Sequence, residues 1–99
     1  MLYAFIARDS AGSSKRRPAV RPRHLAYLQP LIDQGRLVFG GPHPAIDSPD
    51  PGPAGFTGSL IIAEFDSLAA ATAWSAQDPY VVEGVFGAVE IKPVIQVRP

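Results

Sequence analysis

Two residues far apart in the chain carry side chains suited to proton transfer. His24 lies in Arg23-His24-Leu25-Ala26-Tyr27-Leu28, and Asp78 lies in Asp78-Pro79-Tyr80. An imidazole titrates close to neutral pH, so it takes or gives a proton there without an extreme environment. A carboxylate beside it fixes the ring tautomer and favours the imidazolium formed when the base takes a proton. The chain has two histidines and no cysteine. Thiolate nucleophiles, disulfides and cysteine-ligated zinc are therefore excluded. Each residue also has a plainer role. A histidine near a helix start is often structural, and an aspartate before a proline often ends a helix and binds local backbone.

Other candidates for chemistry are weaker. His24 and His43 with Asp47 or Asp50 contain metal-ligating groups, but their spacing follows no known ligand pattern. Gly12-Ser13-Ser14-Lys15 lacks the first glycine of a phosphate loop. No metal and no cofactor is expected.

The 99 residues fit one compact domain, taken as 1–99. Hydrophobic residues make up 46% and charged residues 18%, a globular balance. Nine basic and nine acidic side chains cancel, which argues against a nucleic-acid partner. The basic cluster Lys15-Arg16-Arg17, with Arg21 and Arg23, reads as a solvated loop; attraction of an anionic substrate is the alternative. The apolar start, Met1 to Ala7, is too short for a secretory signal, and no apolar run approaches the ~20 residues of a membrane helix. A cytoplasmic protein with no membrane partner is expected.

The elements that must position the pair follow from periodicity. Leu2 to Ala7 is apolar on both parities and predicts a strand covered on both faces. Asp9 to Arg17 predicts a polar loop. Pro18 and Pro22 mark the entry to a helix running to about Gln34, with Leu25, Leu28 and Ile32 as its core stripe and His24 at the edge of that stripe. Pro30 should kink or break it, and Gly35 should cap it. Arg36 to Gly40 predicts a short strand, and the five prolines between Pro42 and Gly55 predict a long loop. Such loops often cover binding sites. Thr57 to Phe65 predicts a strand. Asp66 or Ser67 should cap a helix through about Gln77, and Pro79 should end it near Asp78. Gly87 to Val97 predicts an edge strand, because it contains Pro93.

The order strand, helix, strand, strand, helix, strand predicts an α+β, ferredoxin-like βαββαβ sandwich with a four-stranded antiparallel sheet. Two helices cover one side of such a sheet. Apolar residues on the other side need a partner, so a homodimer formed through the sheet face is expected.

Several stretches coincide in order: Arg23-His24-Leu25 with Tyr27-Leu28, Gly35-Arg36-Leu37, Gly40-Gly41-Pro42, Gly58-Ser59-Leu60-Ile61-Ile62, Asp78-Pro79-Tyr80, and Ile91-Lys92-Pro93. Together they resemble the YciI-like (YCII-related) family over nearly the whole chain. The resemblance implies a ferredoxin-like protomer in a dimeric α/β barrel. It also implies an active site built on a histidine and an aspartate, which fall on His24 and Asp78. One type in that family is similar to a dehydrochlorinase acting on a chlorinated hydroxyhydroquinone.

The expected function is therefore a small cofactor-independent enzyme of lyase or isomerase type. It would move a proton on a small cyclic or aromatic substrate. His24 would be the general base or acid, and Asp78 would orient it. Tyr80 and Gly41 would line the pocket, with Arg8 or Arg23 available for an oxyanion. The alternative is a non-catalytic small-ligand binding or accessory module.

Overall fold

The computed structural model describes residues 1–99. Its elements are β1 (Leu2–Asp9), α1 (Arg16–Asp33), β2 (Leu37–Pro44), β3 (Phe56–Glu64), α2 (Leu68–Ala76), α3 (Pro79–Val82) and β4 (Phe86–Val94), with a 3-10 turn at Gly52–Ala54. The four strands form one antiparallel sheet in the order β2-β3-β1-β4. This is the ferredoxin-like topology, with β1 and β3 central. No helix is long and apolar enough to cross a membrane.

The sheet is open. β2 and β4 are its two edges and do not pair with one another. The closed barrel implied by the family resemblance is thus not what this chain forms. The edges also explain where the prolines lie: Pro42 and Pro44 stand in β2 and Pro93 in β4. Edge strands tolerate a residue that offers no N–H to the ladder. Hence β2 runs on through Gly41-Pro42-His43-Pro44, where composition alone predicts a loop. The true connection is 45–55, closed at its base by the Ala45 N–H donating to the Gly55 carbonyl.

Strand alternation sorts the side chains. Tyr3, Phe5 and Ala7 of β1, with Ile61 and Ala63 of β3, are buried under the helices with Leu28, Leu31, Phe65 and Ala71. The other parity of the same strands carries Leu2, Ala4, Ile6 and Arg8 opposite Glu64, Ile62, Leu60 and Gly58. That face has no helix over it. Phe39 and Ile6 on it are 50% and 37% exposed.

α1 is rotated relative to the expected stripe. Its buried residues are Arg17, Val20, His24, Leu28 and Leu31, while Leu25 and Ile32 are 42% and 50% exposed. His24 sits in the middle of the buried stripe, not at its edge. The helix also starts before Pro18 and continues through Pro30. It ends where Gly35, at φ 67°, lets the Gly35 N–H reach the Ile32 carbonyl and the Arg36 N–H reach the Leu31 carbonyl. These two bonds form a Schellman cap. α2 starts at Ser67, whose hydroxyl accepts from the Ala70 N–H.

Gly58 marks the tightest backbone approach between the central strands. A Cβ placed there would lie 2.0 Å from the Ala7 carbonyl oxygen. Gly58→Ala should therefore lower unfolding free energy by about 1–3 kcal/mol or more. Urea denaturation checks this, and an unchanged midpoint would contradict the packing described.

Candidate active site

The site is built on α1 and on the turn that follows α2. Asp78 follows the end of α2 and begins α3, because Pro79 disfavours helical geometry at the preceding residue and suits the first helical position. Asp78 is extended (φ −59°, ψ 127°), and its Oδ1 accepts from the Tyr80 N–H at 2.9 Å. The expected helix terminator is thus also the cap of a short second helix.

The same oxygen meets the imidazole. His24 Nδ1 lies 2.8 Å from Asp78 Oδ1, with the residues 6% and 2% exposed. Because Oδ1 already accepts from a backbone N–H, it faces Nδ1 as an acceptor. Nδ1 therefore carries the proton, and in the neutral ring the lone pair is left on Nε2. Nε2 has no hydrogen-bond partner. Since no fully buried side-chain nitrogen or oxygen is unpaired, Nε2 keeps contact with accessible space.

Tyr80 holds the ring in place. The two rings stack at 4.0 Å between centroids, 13° from parallel, and Phe86 meets the imidazole edge-on at 6.0 Å. The other face of Tyr80 lies against the Arg17 guanidinium, 5.0 Å from the ring centroid. Arg17 and His24 are seven residues apart on one helix, about 10.5 Å along its axis. That spacing admits one aromatic ring between them. Burial pushes the Tyr80 phenol above its ordinary range, opposed by Arg17 and Arg21. Tyr80 therefore keeps its proton at neutral pH. Tyr27 is likewise raised, by burial and then by the Asp78 charge, and its hydroxyl donates to the Trp74 carbonyl at 2.7 Å.

Arg17 is the important residue that composition hides. It reads as part of a solvated basic loop, yet it is 9% exposed and ion-paired to Asp9. Its Nε donates to Asp9 Oδ2 at 2.8 Å, and its Nη2 donates to the Gly58 carbonyl and Ser59 Oγ at 2.9 and 2.7 Å. The one sequence signal for it is position: it lies seven residues before His24, on the same helical face.

The remaining expected pocket residues fall elsewhere. Arg8 and Gly41 both project from the uncovered sheet face, on the opposite side from His24. Arg8 borders a hollow of about 580 Å³ there, with Ile6 and Glu90. Arg23 points outward and pairs with Glu83 at 3.1 Å. Tyr80 alone of that group touches the pair. It also borders a smaller cavity of about 310 Å³ under the 45–55 connection, with Arg17, Arg21 and Phe56. The larger hollow lies far from the imidazole and has no buried donor. No three His, Asp or Glu side chains converge where they would hold a metal ion.

The sequence pattern of the YCII-related domain matches residues 1–95. The chain belongs to this family. It is 59% identical over 93 residues to Protein YciI of Escherichia coli O6:H1, covering 94% of this chain and 95% of that one. It is 50% identical to an uncharacterized protein of Haemophilus influenzae over the same shares. Among solved structures it is similar to 5-chloro-2-hydroxyhydroquinone dehydrochlorinase of Burkholderia phenoliruptrix in complex with 2,5-dihydroxybenzoquinone. That match has a TM-score of 0.84 and 28% identity, over 96% of this chain and 94% of that one. A Pseudomonas aeruginosa protein at 11% identity and TM-score 0.52 shares the fold.

Within this YCII-related domain, Asp78 has two buried dependants. Asp78→Ala removes a helix cap, at about 1 kcal/mol, and orphans a buried imidazole nitrogen, at about 1–3 kcal/mol. A loss of about 2–4 kcal/mol is expected in thermal or urea unfolding. A loss below about 0.5 kcal/mol would mean that the pair carries no structural weight.

Proposed function

We propose that this YCII-related domain is a small enzyme that moves a proton on a small cyclic, hydroxylated substrate, with His24 as general base and Asp78 as its partner. The buried 2.8 Å contact between His24 and Asp78, with Nε2 left unpaired, carries the reading. Nε2 would take a proton from an acidic C–H or O–H. The electron pair would stay on the substrate as an enolate or expel a leaving group such as chloride. The imidazolium would be stabilised by the Asp78 carboxylate, and Tyr80 would keep the ring from rotating. The likeness to a dehydrochlorinase supports a catalytic role on a small molecule and suggests a lyase. Arg8, Arg23 and Gly41 have no part in this proposal, because none of them reaches the pair.

We also infer that two copies associate through the uncovered sheet face. Ile6, Phe39, Leu60 and Ile62 are apolar and have no helix over them. Burying them together would gain about 25 cal/mol per Å² of apolar surface.

Two measurements test these readings. Chloride release from 5-chloro-2-hydroxyhydroquinone is the first assay of turnover. His24→Gln should lower kcat about 10²- to 10⁴-fold, and Asp78→Asn should lower it less. Turnover unchanged in His24→Gln would remove His24 from the reaction. Binding with no turnover in the unaltered protein would favour the alternative of a ligand-binding module. Sedimentation at micromolar concentration should give twice the chain mass of 10.5 kDa; a single 10.5 kDa species would rule out the paired face.

A further inference from the structure

The cavity under the 45–55 connection has a chemistry of its own. Arg17 is about nine-tenths buried, and all of its hydrogen bonds leave from Nε and Nη2. Nη1, with two N–H donors, has no partner. No fully buried side-chain nitrogen is unpaired, so Nη1 opens onto accessible space, and Arg17 lines this cavity. A guanidinium clamped on one side and free on the other is a preorganised donor. It needs no further ordering to bind an oxygen.

Arg21, one helical turn on, lines the same cavity. Its neighbours are tied down: Arg16 donates to the Gly84 carbonyl, Arg17 pairs with Asp9, and Arg23 pairs with Glu83. Arg21 makes no ion pair. Asp9 neutralises Arg17, so Arg21 supplies the net positive charge. No Asp or Glu borders the cavity. The rest of the wall carries the rings of Phe56, Tyr80, Pro18 and Pro42, with Ser14 and the backbone of two glycines between them. A volume of about 310 Å³ holds one substituted ring.

We propose that this cavity binds a monocyclic organic oxyanion, a carboxylate, phenolate or enolate. Its oxygen would lie on Arg17 Nη1 and Arg21, and its ring would lie against Phe56 and the two prolines. The charge-assisted bonds select an anion over a neutral isostere, and the flat walls select a ring over a free inorganic ion. The proposal goes beyond the His24 reading and does not depend on it. The imidazole lies across Tyr80 from Arg17, and binding is read without turnover.

Benzoate and its neutral isostere benzamide are the probes, titrated into the whole protein by calorimetry at low ionic strength. Benzoate should bind one to one and at least about tenfold more tightly than benzamide. Arg21→Gln should weaken benzoate about fivefold or more, while Arg21→Lys should keep most of the affinity. Both substitutions are at an exposed position and leave the fold untouched. In an NMR titration, the Arg17 Nε–H resonance and the Phe56 ring signals should move with the same affinity. Equal binding of benzoate and benzamide, no benzoate binding up to about 10 mM, or an Arg21→Gln affinity equal to the unaltered protein's would each overturn the proposal. So would shifts confined to other parts of the molecule.

Discussion

One carboxylate oxygen does two jobs in this fold. Asp78 Oδ1 accepts from the Tyr80 backbone and from the His24 ring, and both donors are buried. An ionised group removed from water is costly unless its lone pairs are met. Two directed donors meet that cost and also fix geometry. The bond to Tyr80 starts α3 and sets the direction of its ring. The bond to His24 docks α1 against α3. The stacked rings then bring Phe86 and β4 into the same cluster. α3, a helix of only four residues, is fastened by this oxygen together with the burial of Tyr80 among Ala7, Val20, Val85 and Phe86.

A second buried charge fastens the other end of α1. Arg17 joins Asp9 at the end of β1 to the Gly58 carbonyl and Ser59 hydroxyl at the start of β3. Breaking such a pair leaves an uncompensated charge and typically costs about 3–5 kcal/mol. With His24 two turns away, α1 is held at two polar points along a stripe that is otherwise apolar. Tyr80 lies between them. The phase of the helix, the tilt of the tyrosine and the direction of the imidazole are thus one geometric unit.

Much of the framework was legible in the sequence because it rests on periodicity. Strands apolar on both parities became the central pair, the proline-bearing last strand became an edge, and the order of elements gave the topology. The pairing of His24 with Asp78 was legible as chemistry. One cause of what periodicity hides is polar residues doing the work of apolar ones. The buried stripe of α1 contains Arg17 and His24, which a search for leucines passes over, so Leu25 and Ile32 were assigned to a core they do not enter. The Arg17–Asp9 pair leaves no local trace. Arg8 stands in a strand apolar on both faces, where alternation cannot say which face meets the helices, and Gly41 lies just beyond the strand that composition ends at Gly40. The strand at Gly41 to Pro44 was hidden because an edge strand can be built from residues that central strands exclude.

Those edge prolines have a consequence for how the molecule behaves in a crowded solution. A free strand edge is a template for lateral growth into cross-β aggregates, since it presents a row of unpaired donors and acceptors. Here both edges are interrupted, by Pro42 and Pro44 on one side and Pro93 on the other. A strand docking there would find donors missing from the row. The chain can thus carry a sheet whose uncovered face sets Ile6, Phe39, Leu60 and Ile62 beside Arg8, Glu90 and Lys92 without inviting ribbon-like extension from its sides.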